Sequence, residues 1–368
     1  MTGPMAAGRH DLAQRLLVTA YGASVERLHL SGRAGGSPDS VVLKWLREDP
    51  DGSRADPAQV STERAALEFL EERGIRVAPR LIGADLDAGL LILEDITPSV
   101  TLADVLAADG PAGTIASEGL LSFAKALGAL RAQTAADGDR YYLRRRRYGP
   151  VDAHADRRSG FSRHWRSTAD GVADLLGLGL DARVAADVHV VLETLAEPGP
   201  FLVFSNGDSG ANNFLLDGAA GRIIDFEFAG YRHALADAAA FYTPGTEWIT
   251  IPDPGATGVE ATYRGALAEG VPEAEDDKLY GRGVAVASLA FAVARLHRLR
   301  RLDGRPSGHR SRLQMVSTLE SAAVAATAHR SLPRLAAWAR DVAARLRARW
   351  PDADVDLSLL RPYRRRAD

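Results

Sequence analysis

The chain has 368 residues, of which 46% are apolar and 25% charged. That is the balance of a folded protein of two or three domains rather than of a disordered one. A formal charge of −3 excludes a molecule-wide attraction to nucleic acid, and the lack of cysteine excludes disulfides, thiolate nucleophiles and Cys-ligated metal centres.

In chain order, residues 1–16 carry Arg9, Asp11 and Arg15 without an apolar core, unlike a signal peptide. Residues 25–30 alternate as a strand, residues 31–39 are a Gly/Pro/Ser loop, and Val41-Val42-Leu43-Lys44-Trp45-Leu46 is a β-rich run. Residues 57–73 have helical spacing through Ala66, Leu67 and Leu70, with Ser61 as a cap and Gly74 as a stop. Leu90-Leu91-Ile92-Leu93 reads as a buried strand ending at Glu94-Asp95. Residues 97–113 are rich in breakers and small residues, which divides the chain into lobes at 1–97 and 98–368.

The second lobe reads as helices over 117–135, 163–176 and 182–195, a β segment within 201–226, then helices over 234–242, 260–269, 279–302, 312–328 and 332–350. The longest nearly uninterrupted apolar run, residues 284–294, is shorter than the about 20 residues that cross a bilayer. These features predict a cytoplasmic protein that engages neither membrane nor nucleic acid. Of the 45 basic residues only Lys44, Lys125 and Lys278 are lysines, so each retained lysine draws notice.

Chemistry concentrates in Ser205-Asn206-Gly207-Asp208-Ser209-Gly210-Ala211-Asn212-Asn213-Phe214, followed by Ile223-Ile224-Asp225-Phe226-Glu227. Residues 214–216 and 222–225 read as a hairpin. If Leu216 pairs with Arg222, Asn213 stands opposite Asp225, where cross-strand Cβ atoms lie about 5 Å apart. An amide oxygen and a carboxylate converging there suit a hard cation such as magnesium. Asp208, in the glycine-flanked loop upstream, is placed to accept a proton. A lone Asn-Gly-Asp is usually a turn; the added acids and their spacing are what point to a site.

This pattern resembles the aminoglycoside phosphotransferase and choline kinase-like family, relatives of protein kinases, over residues 25–242. The family motif is H-G-D-x-x-x-x-N, a short hairpin, then I-D-[WF]-[ED]. The resemblance implies a two-lobed, protein-kinase-like α+β fold and an ATP-dependent transfer of phosphate to a hydroxyl group. It implies Asp208 as the catalytic aspartate, Asn213 and Asp225 as Mg²⁺ ligands with Glu227 beside them, and Asp237 as a structural acid. It further implies that Lys44 contacts the ATP phosphates, that Glu63 pairs with it, and that Glu94 to Ile96 is the hinge that holds adenine. Glu68 is the next helix acid should Glu63 not be the partner.

Two departures stand out. Asn206 replaces the motif histidine; Asn also donates and accepts hydrogen bonds, so it is expected to brace the loop. No clear glycine-rich turn covers the phosphates, with residues 21–24 and 32–36 as competing candidates. The acceptor reads as a small-molecule alcohol (an antibiotic, sugar or amino alcohol). A precursor peptide, phosphorylated before a lyase acts, is an alternative, as is a non-catalytic pseudokinase that binds nucleotide or a partner protein. Arg144 to Arg147 read as a solvated charge run, Arg295, Arg298, Arg300 and Arg301 as surface arginines, and the nine scattered histidines as structural or surface groups. The acidic stretch 247–277 would suit a cationic acceptor.

Overall fold

The computed structural model describes residues 25–30, 39–46, 56, 58–97, 99–110, 113–157, 160–217, 220–244 and 253–354. The first lobe is a four-stranded antiparallel sheet of β1 (Val25–His29), β2 (Ser40–Trp45), β3 (Leu81–Asp85) and β4 (Leu90–Glu94), in the order β1-β2-β4-β3. Strand β3 is an addition to the elements expected from the sequence. Because side chains alternate along β2, Val41 and Leu43 bury on one face with Leu90 and Ile92. Lys44 therefore falls on the other face, the one that meets helix α1 (Ala58–Glu72).

Helix α1 buries Val60, Glu63, Leu67 and Leu70, a 3-4-3 spacing that forms one stripe. Glu63 thus sits in the middle of an apolar face, only 2% exposed. The stripe continues into the second lobe, where Phe69 stacks 5.6 Å from Tyr141 and 5.3 Å from Phe204 between ring centroids.

The breaker-rich segment is more ordered than its composition suggests. Strand β5 (Val100–Thr101) leads into helix α2 (Leu102–Asp109), whose first turn is capped by Thr101 Oγ1 accepting from Asp104 N at 3.0 Å. Then come α3 (Thr114–Thr134), α4 (Gly138–Arg145), α5 (Ala153–Arg157), α6 (Gly160–Leu176) and α7 (Ala182–Ala196).

Strands β6 (Leu202–Ser205), β7 (Phe214–Asp217), β8 (Ala220–Ile223) and β9 (Gly230–His233) form two small sheets, β5-β7-β8 and β6-β9. Helices α8 (Ala234–Tyr242), α9 (Val259–Ala268), α10 (Asp277–Arg295), α11 (Leu299–Asp303), α12 (Arg310–Ala328) and α13 (Pro333–Arg349) follow among the described residues. The architecture is the two-lobed α+β arrangement that the family resemblance implies.

One described segment, Asp277–Asp303, is long and apolar enough to cross a membrane, more than the run 284–294 suggested. Its apolar window is 72% buried within the protein, packed with α12 and α13 in a second core that includes Val286, Leu289, Val316 and Val342.

Candidate active site

Strand β2, helix α1 and the loop after β8 meet at Lys44. Its Nζ lies 2.6 Å from Glu63 Oε2, 2.5 Å from Asp225 Oδ1 and 3.4 Å from Glu227 Oε2. Burial disfavours the ammonium charge, but Glu63 and Asp225 outweigh it and hold the Lys44 pKa above its ordinary value. Glu63 also ties α1 to the second lobe, since its Oε1 accepts from Phe226 N at 3.3 Å. The carboxylates of Glu63, Asp225 and Glu227 lie within 4.8 Å of one another.

The hairpin register corrects the sequence expectation by one residue. Leu216 pairs with Gly221, not Arg222, and the strands end at Asp217 and Ile223 rather than at Leu216 and Asp225. Asn213 therefore faces Ile224, whose N–H donates to its carbonyl at 2.9 Å. Asp225 has already left the ladder, with φ of 64°. This left-handed conformation is tolerated by Asp better than by most residues. It turns the carboxylate toward Lys44.

Asp208 lies in the exposed turn before a 3-10 segment at Ala211–Asn213. Asn213 Nδ2 donates to its carbonyl oxygen at 2.9 Å and to its Oδ2 at 3.2 Å. Withdrawal from water, then the charges of Asp225 and Asp237, raise the Asp208 pKa, while the Asn213 bond opposes them.

Asn206 is wholly buried. Its Nδ2 donates to the Asp208 carbonyl at 3.1 Å and to Ile224 O at 3.4 Å, and its Oδ1 accepts from Ser209 at 2.6 Å. Gly207 adopts φ of +85°, and a Cβ there would meet the Phe228 carbonyl oxygen at 2.2 Å, so this turn requires glycine.

Sequence reasoning missed two cations. Arg131 extends the apolar stripe Leu120, Ala124, Leu127 of α3 and is fully buried. Its Nη2 donates to Asp237 at 2.6 Å and to Ser209 at 3.3 Å, while Ser205 Oγ donates to the same Asp237 carboxylate. An arginine at an apolar stripe position was the legible clue. Arg295 was read as a surface arginine, yet its guanidinium sits 3.5 Å from the Phe291 ring centroid, one helical turn away. Burial and the charge of Arg298 lower its pKa to about 10, and the field of Asp208 opposes this.

Arg144 and Arg145 are likewise not a solvated run. Arg144 donates to Glu68 at 3.0 Å and to Glu72, pinning α4 beneath α1, and Arg145 donates to Asp156 of α5 at 2.8 Å. Glu68 is thereby engaged away from Lys44. In the acidic stretch, Asp276 caps α10 and Glu260 accepts from Tyr242, so both have structural partners.

At the hinge, the Glu94 N–H is engaged by the Arg80 carbonyl at 2.9 Å, and its Oε2 accepts from Arg80 N at 3.0 Å. Ile96 is buried, and its carbonyl accepts from Ser99. Both candidate phosphate-covering turns, residues 21–24 and 32–36, lie outside the described residues.

A profile of the phosphotransferase enzyme family matches residues 22–271. Among solved structures, choline kinase LicA from Streptococcus pneumoniae is similar at 12% identity, covering 86% of this chain and 99% of its own, with a TM-score of 0.44. A choline/ethanolamine kinase family protein from Mesorhizobium loti is 18% identical over 91% of this chain and 99% of its own, with a TM-score of 0.46. Amicoumacin kinase hAmiN, in complex with AMP-PNP, Ca²⁺ and Ami, is 13% identical over 86% of this chain and 95% of its own, with a TM-score of 0.45. No curated protein sequence matches the chain.

Proposed function

Since the chain belongs to the phosphotransferase enzyme family and is an ATP-dependent kinase, we propose that it moves the γ-phosphate of ATP to a hydroxyl of a small molecule, with Asp208 as proton acceptor. The observation that carries this is the gathering of Lys44, Glu63, Asp225 and Glu227 into one charge cluster, next to the Asp208–Asn213 turn.

On this assignment residues 1–97 form the nucleotide lobe and residues 98–368 carry the catalytic loop and the acceptor helices. Lys44 contacts the nucleotide phosphates and Glu63 orients it. With the Glu94 N–H engaged and the Ile96 carbonyl accepting from Ser99, the Ile96 N–H is left to meet adenine. The donor chemistry of Asp225, Glu227 and Asn213, all oxygen, fits a Mg²⁺ ion, which would neutralise charge on the transferring phosphate.

Asn213 holds one carboxylate oxygen of Asp208, leaving Oδ1 to receive the acceptor proton. As transfer proceeds, the bond from the γ-phosphorus to the ADP oxygen breaks, the acceptor oxygen bonds to phosphorus, and its proton passes to Asp208. Neither a peptide acceptor nor a non-catalytic role is favoured by any particular contact.

The test is Asp225→Asn. Turnover and magnesium-dependent nucleotide binding should fall together, and a variant with normal magnesium dependence would overturn the ligand assignment.

A further inference from the structure

A cavity of about 450 Å³ opens beside the catalytic turn, bordered by Gly207, Glu227 and Phe228 on one side and by α1, α5 and α6 on the other. That volume is in the range of small-molecule sites. Its lining carries four arginines (Arg145, Arg157, Arg163 and Arg232) and four carboxylates (Asp56, Asp156, Glu227 and Asp237), so formal charge alone decides nothing.

Partnering decides it. Asp237 is held by Arg131 and Ser205, Asp156 by Arg145 and Tyr142, and Glu227 lies 3.4 Å from Lys44. Asp56 accepts from Ala58 N at the start of α1. His233 adds no charge, because burial lowers its pKa to about 4.

Three of the four arginines are the reverse. Among the described residues Arg157 and Arg163 have no ion pair or hydrogen bond, and Arg232 spends one Nη on the Phe228 carbonyl. The Nε atoms of Arg157 and Arg232 are buried without an acceptor. Buried N–H donors left unpaired are costly, and two such side chains around one cavity, with the exposed Arg163 also lining it, are what an anionic guest would satisfy. Phe228, 47% exposed, adds an uncovered apolar wall.

We infer that this cavity is the acceptor pocket, and that it takes a hydroxyl compound bearing an anionic group (carboxylate or phosphate) held by Arg157, Arg163 and Arg232. This rests on the kinase assignment for the hydroxyl's fate but not for the anion's binding. It also disfavours an acceptor whose only charge is an ammonium, since three of the four cavity carboxylates already face a cation and Asp56 is an exposed residue at the start of α1.

The experiment is calorimetric titration of the protein saturated with Mg·ADP, which keeps the probes off the nucleotide phosphate site. The probes are glycerate, glycerol 3-phosphate, ethanolamine and choline. At least one anion should bind tenfold or more tighter than both amines, and the better anion tells carboxylate from phosphate. Arg157→Gln/Arg232→Gln should weaken that binding at least tenfold while retaining Mg·ADP affinity. Arg163→Gln, an exposed change that spares the fold, should weaken it severalfold. Tighter binding of either amine, no binding of either anion, or anion binding unchanged in the double variant and in Arg163→Gln overturns the inference. Failure of the wild type to bind Mg·ADP would instead sink the kinase assignment, and anion titration without nucleotide would still read the pocket.

Discussion

Replacing Lys44 with Met keeps the length of the side chain but removes the one cation among three carboxylates. At the observed separations of 2.6 Å to Glu63 and 2.5 Å to Asp225, each contact is worth about 6 kcal/mol of Coulomb energy at an effective dielectric of about 20. Desolvation of the ammonium and repulsion among the acids offset most of that. What remains on breaking such a buried cluster is about 3–5 kcal/mol, because the acids are left uncompensated.

The pH dependence follows from the direction of the shifts. The raised Lys44 pKa means that its contribution is complete below the unfolded lysine pKa and is lost only as pH rises through the higher folded value. Burial already raises the Glu63 pKa against the pull of Lys44, and Lys44→Met removes that pull and raises it further. Its charged form then costs stability at neutral pH and stops doing so once protonated. Urea unfolding at pH 7.5 should therefore show a deficit of about 3–5 kcal/mol, smaller at pH 5. Millimolar magnesium should narrow the deficit by giving the acids another cation. A variant as stable as wild type at pH 7.5, or a deficit indifferent to both pH and magnesium, would refute this electrostatic account.

Asp208→Asn should lower kcat by roughly 10²–10⁴-fold and leave ATP affinity near wild type in an equilibrium titration; because the Asp208 pKa is raised, the acid limb of wild-type kcat/KM should lie above that of an ordinary aspartate. Asn206→Ala would strand the Ser209 hydroxyl proton and remove one donor each from the Asp208 and Ile224 carbonyls, costing about 1–3 kcal/mol in urea unfolding, with kcat reduced more than KM. Arg131→Leu leaves the Asp237 carboxylate with only its Ser205 bond; it should cost about 3–5 kcal/mol in the same assay, and adding Asp237→Asn should recover part of that.

Much of the site was legible locally. The motif from Asn206 to Glu227 carries its residue types at fixed spacing, and Lys44 is conspicuous as a charge inside a strand. Glu63 was harder to choose among the acids of α1, because four of them share one short helix and only the 3-4-3 stripe separates the inward one. Arg295 shows the opposite failure. Its neighbours on the helix are exposed arginines, and nothing local reveals that its own face turns toward Asp208.

The sequence by itself determined the order and type of most elements, since periodicity and turn residues act over a few positions of chain. It also determined the chemistry available at the catalytic turn. Tertiary structure decided the placing of β5 and β9 and the pairing of Arg144 with Glu68 and Glu72, because each depends on a partner tens of residues away, and the structure alone set the register of the local β7–β8 hairpin. It alone decided which charges are spent. Three of the four carboxylates around the cavity face a cation, whereas Arg157, Arg163 and Arg232 keep donors in reserve. That distinction is one of distance and burial, and a list of charged residues does not contain it.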